Sequence, residues 1–115
     1  MKKLFLVLGI VPLVLILANC SSSKKTTAKA AAPTTYQNNI STLVMSNCSP
    51  CHVPSKGGNK KPYDNYTNAS ADIDEIIRRI ELHPGDKGFM PFKRARLSDS
   101  TIAVFKAWKA EGTPQ

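Results

Sequence analysis

The chain has 115 residues, room for one small domain and not for a second core. Sixteen Lys and Arg stand against eight Asp and Glu, a formal charge of +8, and there are three cysteines. No general base, nucleophile and oxyanion donors can be grouped from this sequence, so it is not expected to be an enzyme.

Lys2 and Lys3 precede an uncharged, apolar run from Leu4 to Ala18. As a helix that run would rise only about 22 Å, short of the roughly 20 residues a membrane span needs. Pro12 also interrupts it. A positive stretch followed by a short apolar one is the pattern of an export signal. Leu17-Ala18-Asn19-Cys20 then resembles a bacterial lipobox, with Asn19 where a small residue is usual. Residues 1–19 are therefore expected to be a lipoprotein signal peptide, with lipidation at Cys20. The alternatives are plain secretion with Cys20 free, or an uncleaved anchor. Residues 20–35 lack aromatics and large aliphatics and are expected to be a flexible, lipid-anchored linker. About 15 residues of such coil reach roughly 20–25 Å. The expected location is outside the bacterial cytoplasm, anchored to a membrane and facing the periplasm.

Residues 36–115 are expected to fold. Tyr36, Ile40, Leu43 and Val44 recur at helical spacing, which predicts a first helix from about Tyr36 to Asn47. It leads into Cys48-Ser49-Pro50-Cys51-His52. C-x-x-C-H is the attachment site for c-type haem. Two thiols about one helical turn apart can add to the two vinyl groups on one edge of the macrocycle, and the adjacent histidine ligates the iron. Three other readings of these five residues stand beside it. One is a thiol–disulfide redox pair, which needs a βαβ setting. Another is a zinc site completed by His83, which lacks a second ligand pair at metal spacing. The third is a chance match in a structural loop.

The stretch from His52 to Ser70 reads as a long irregular segment, better wrapped around a porphyrin than left free. Ile73, Ile76, Ile77 and Ile80 predict a second helix near Ala71 to Leu82, acidic at its start and basic later, as the helix dipole favours. The third helix opens at Ser98, with Leu97 and Ile102 placed as a hydrophobic staple, and stops at Gly112. Its expected buried face is Ile102, Phe105 and Trp108 with the smaller Ala103 and Val104. Eighty residues with three short helices make a marginal core alone, and a covalent porphyrin would add a large apolar slab.

Taken in order, Cys48-Ser49-Pro50-Cys51-His52 after a first helix, Gly88-Phe89-Met90-Pro91, and the closing helix with Leu97-Ser98, Ile102, Phe105 and Trp108 resemble the small class I cytochromes c over about 36–112. The resemblance implies an all-α fold of three main helices around one covalent haem c, with long irregular loops and one haem edge exposed. It also implies a methionine as sixth iron ligand from across the ring, for which Met90 is the candidate. Met45 and His83 are the competitors. Cofactor binding is thus assigned to Cys48, Cys51, His52 and Met90, with His52 and Met90 on the metal. The free nitrogen of His52 is expected to donate to a carbonyl in Val53–Gly58. Gly57 and Gly58 would allow a close backbone approach to the ring, and Tyr63 or Tyr66 could hydrogen-bond propionates.

The expected function is a membrane-tethered monohaem cytochrome that carries single electrons between respiratory-chain partners. The rivals are a haem enzyme or gas sensor with a labile sixth ligand, and a fixed electron-transfer subunit of a larger oxidase or dehydrogenase complex. Lys56, Lys60, Lys61, Lys87, Lys93, Arg94 and Arg96 flank the two expected ligands and would favour redox partners with an acidic docking surface. Nucleic acid and small-molecule substrates are not expected.

Overall fold

The computed structural model describes residues 31–115, and within them the fold is helical with no strand. The expected signal peptide, Cys20 and most of the linker lie outside the described residues. Thr35 starts the fold: its hydroxyl accepts from the Asn38 N–H at 3.1 Å. The next five residues, Tyr36–Ile40, wind as a π-helical turn, with the Ile40 N–H reaching back to the Thr35 carbonyl at 3.2 Å. Helix α1, Ser41–Asn47, continues it. Together they bury Tyr36, Ile40 and Val44, three of the four positions in the expected stripe, with Leu43 packed partly against the same core.

The expected irregular segment holds more order than its sequence suggests. Pro54–Lys56 form one 3₁₀ turn, and Tyr66–Ala71 form helix α2. Asn65 caps α2 by accepting from the Asn68 N–H at 2.9 Å. At six residues, and with only Ala69 fully buried, α2 shows almost no hydrophobic period from which to predict it. Helix α3, Ile73–Glu81, buries the four isoleucines, and helix α4, Asp99–Ala110, buries Ile102, Phe105 and Trp108. Ser98 caps α4 by accepting from the Thr101 N–H at 3.1 Å. Ala103 turns to solvent and Val104 is only partly covered, so the buried face is narrower than expected.

Helix α4 is the axis of the packing. Trp108 meets Tyr36 and Tyr66, with ring centroids 6.0 and 6.4 Å away. Pro114 closes this aromatic cluster, its carbonyl accepting from the Tyr36 N–H at 2.9 Å and the Trp108 indole at 2.7 Å. The chain after α4 thereby ties the first helical turn to the last. On the other side α4 packs on α3, with exposed ion pairs Lys106–Glu81 and Lys109–Asp74 at the seam. Exposed pairs of this kind contribute little. Burial of Phe105 and Trp108, both with no exposure, contributes far more.

Candidate functional site

Helices α1 and α3 and the two long loops leave a cavity of about 430 Å³ between them. That volume lies within the range of pockets that enclose small molecules and cofactors, about 300–1,000 Å³. The C-x-x-C-H segment forms one wall, contributing Cys48, Cys51 and His52. Ile76 and Ile80 of α3 supply an apolar floor, and Met90, Pro91 and Leu97 line it from the other loop. Two segments 38 residues apart in the chain, counted from His52 to Met90, therefore meet across one space. Among the described methionines only Met90 lines the cavity; Met45 lies on α1 and is 41% exposed. His83 is exposed and absent from the lining, its own N–H donating to the Asp86 carboxylate at 2.8 Å.

The motif wall is built by backbone pairing. Helix α1 ends as the Cys48 N–H donates to the Val44 carbonyl at 2.8 Å, and the His52 N–H donates to the Cys48 carbonyl at 3.0 Å. The segment 58–63 then folds back along it. The Lys60 N–H reaches the Cys51 carbonyl at 3.0 Å and the Tyr63 N–H reaches the His52 carbonyl at 2.9 Å. Gly58 makes this possible: a Cβ there would stand 2.6 Å from the Cys51 carbonyl oxygen and would also clash with that of Pro50. The close approach at Gly58 is thus to the backbone of the motif, not toward the cavity. A Cβ at Gly57 would meet nothing.

His52 is held by its ring. Its Nδ1 lies 2.7 Å from the Lys61 carbonyl oxygen. A carbonyl can only accept, so Nδ1 carries a proton, and in the neutral imidazole Nε2 is then the nitrogen with the lone pair. The acceptor is Lys61 and not a carbonyl in Val53–Gly58, where those of Val53 and Pro54 close the 3₁₀ turn and the glycine bend. Tyr63 stacks on the same imidazole, centroids 4.6 Å apart and planes within 12°.

The tyrosine hydroxyls are already engaged within the protein. Tyr63 donates to Asp72 at 2.5 Å and Tyr66 donates to the Thr113 carbonyl at 3.0 Å. Neither is arranged as a donor into the cavity, and Tyr66 belongs to the Trp108 cluster. Burial, with the bond to Asp72, pushes the Tyr63 hydroxyl well above its ordinary range. Hydrogen bonds from Lys61 and then Tyr63 hold the Asp72 carboxyl below the usual value.

Burial pushes the Cys48 thiol up to about 11, opposed in part by the nearby Arg94 charge. A thiol–disulfide redox pair calls for the reverse, a cysteine stabilised as thiolate. The described residues also contain no strand from which a βαβ unit could be built. No group of three His, Cys, Asp or Glu side chains converges as a metal cluster among the described residues. The two cysteines among the described residues form no disulfide, and Cys48 is half-buried while Cys51 is exposed.

The opposite loop is fastened to α3 and α1. The Met90 N–H donates to the Arg79 carbonyl at 3.2 Å, and the Arg79 guanidinium donates to the Gly88 carbonyl at 3.4 Å. Gly88 adopts a φ of 95°, a left-handed conformation that favours glycine. Arg94 reaches the Ser46 and Asn47 carbonyls at the end of α1, the nearest at 3.3 Å. These are the orphan carbonyls a helix C-terminus presents, where a cation is favourable. Lys60, Lys61, Arg79 and Arg94 line the cavity against the single carboxylate of Asp72.

No protein-family model, curated protein or solved structure matches the chain. No helix among the described residues is long and apolar enough to cross a membrane.

Proposed function

We propose that this protein is a monohaem c-type cytochrome of class I type, an electron carrier held to a membrane through Cys20. The observation that carries the proposal is that Cys48, Cys51, His52 and Met90 all line one mostly apolar cavity. The residues fit the group. Cys48 and Cys51 provide two thiols for thioether bonds, His52 offers Nε2 with its proton fixed on Nδ1, and Met90 is the soft donor from the facing loop. Of the lining cations, Arg79 is paired with Glu75 and Lys61 with Asp72, which leaves Lys60 and Arg94 to suit a cofactor that carries two carboxylates of its own.

Bound there, haem supplies a one-electron Fe(III)/Fe(II) couple. The protein's part is to hold and insulate it. His52 and Met90 are the residues that would hold the iron, and with both donors engaged no position would remain for a substrate. Ile76, Ile80 and Leu97 keep water from the pocket, and a thioether ligand in an apolar site favours the reduced iron. The exposed side of Cys51 is the natural edge for electron exchange, and the basic residues around it suit an acidic redox partner.

The proposal is tested by spectroscopy of the purified protein. The oxidised form should be low-spin with the weak red charge-transfer band of thioether-to-iron ligation, and the reduced form should not bind CO. A five-coordinate spectrum with ready CO binding would favour a gas sensor or haem enzyme instead.

A further inference from the structure

His52 does not stand alone on its wall. Lys61, whose carbonyl accepts from Nδ1, and Tyr63, whose ring stacks on the imidazole, are two residues apart on one short segment. Both side chains end on the same carboxylate. Asp72 accepts from the Tyr63 hydroxyl at 2.5 Å through Oδ2 and from the Lys61 ammonium at 2.7 Å through Oδ1. Asp72 sits at the junction of α2 and α3, as the residue before Ile73. Its backbone is set by the helix that also provides the cavity floor, the Ile76 N–H donating to the Asp72 carbonyl at 2.9 Å. From below, the Tyr36 hydroxyl donates to the Tyr63 carbonyl at 2.9 Å.

We propose that Asp72 is a positioning residue for His52: by clamping Tyr63 and Lys61 together it fixes the plane of the imidazole and the strength of its Nδ1 hydrogen bond. This rests on the cytochrome reading of the site. The Lys61 carbonyl accepts the Nδ1 proton only while residues 61–63 keep their place, and Asp72 is the one side chain that holds both ends of that segment. A firm Nδ1 bond makes Nε2 a stronger donor, and a fixed ring plane sets the orientation of the axial ligand. Asp72 lines the cavity and makes no hydrogen bond to His52, so its hold on the imidazole runs through its two partners.

The test uses Tyr63→Phe, Asp72→Asn and Asp72→Glu in the full chain. Tyr63→Phe is the decisive variant, because it keeps the stacked ring and the Asp72 charge and removes only the hydroxyl. It should speed exchange of the His52 Nδ1 proton by about five- to tenfold, the scale of one net hydrogen bond. In the oxidised protein it should change the electron paramagnetic resonance g-values and raise the reduction potential. Asp72→Asn should do the same, and Asp72→Glu should restore part of the wild-type behaviour. Asp72→Asn alone is ambiguous, since loss of a nearby negative charge also raises a potential. Unchanged proton exchange and g-values in Tyr63→Phe would overturn the positioning role. The Nδ1 exchange is read by NMR whatever the haem content. A wild type without covalent haem would therefore defeat the proposed function, while the exchange comparison still decides the role of Asp72.

Discussion

Met90 is held at the cavity by its backbone as well as by its neighbours, with its N–H on the Arg79 carbonyl and Pro91 buried behind it. Removing the thioether should therefore leave the loop in place and open one coordination position. Met90→Ala is expected to retain covalent haem, lose the red charge-transfer band and gain affinity for CO. His83→Ala should change none of these, because His83 is exposed and outside the cavity lining. An unchanged spectrum in Met90→Ala would move the sixth ligand elsewhere. At this scale the sequence made legible which side chains share the cavity wall. Cys48, Cys51 and His52 form a motif with fixed spacing, and Met90 sits in a marked loop. The acceptor for His52 was not legible, because a backbone carbonyl has no residue type to betray it. The stacking of Tyr63 and its bond to Asp72 were hidden for a related reason: they depend on where the segment folds back, which Gly58 permits but does not announce.

Helices α1, α3 and α4 carried clear signals: an apolar period, an acidic first turn in α3, and a serine cap in α4. Helix α2 carried none, since its six residues are mostly polar and its stability comes from the Asn65 cap and from packing of Tyr66 and Ala69. The π-helical start at Tyr36–Ile40 was equally silent, because the same apolar spacing serves both windings. The junction of α2 and α3 gives a pH prediction. Asp72 is held below its ordinary value when folded, so its contribution is fully present above the unfolded value of about 3.9 and is lost as pH falls through the folded one. Glu75, brought down to about 2 by Arg78 and then Arg79, acts in the same direction. Stability should thus fall on acidification below about pH 5, and Asp72→Asn should flatten part of that slope while Glu75 keeps the rest. Denaturant midpoints at pH 6 and pH 3 check it, and parallel slopes for the two proteins would contradict it. Gly58→Ala tests the fold-back of the loop. It should destabilise by about 1–3 kcal/mol or more, the usual range for overpacking, because the carbonyls it meets are backbone.

For the whole molecule, the aromatic cluster at the end of α4 is the structural keystone. Trp108→Ala should cost about 3–5 kcal/mol, since the ring is fully buried and its indole is bonded to Pro114. The fold offers a small core beside a sizeable cavity, which is the arrangement expected if a cofactor completes the packing. The tether is a separate matter, with Cys20 outside the described residues. Cys20→Ser should block lipidation and processing without altering haem content, as seen by membrane partition and the N-terminal sequence. The central claim is that Cys48 and Cys51 bind haem covalently, and acid–acetone extraction followed by mass measurement of the intact polypeptide tests it most directly. The account predicts a polypeptide that stays red and is heavier by one haem, with Cys48→Ser or Cys51→Ser reduced to a single attachment. A colourless polypeptide at its bare sequence mass, with the pigment in the organic phase or no pigment at all, would contradict it.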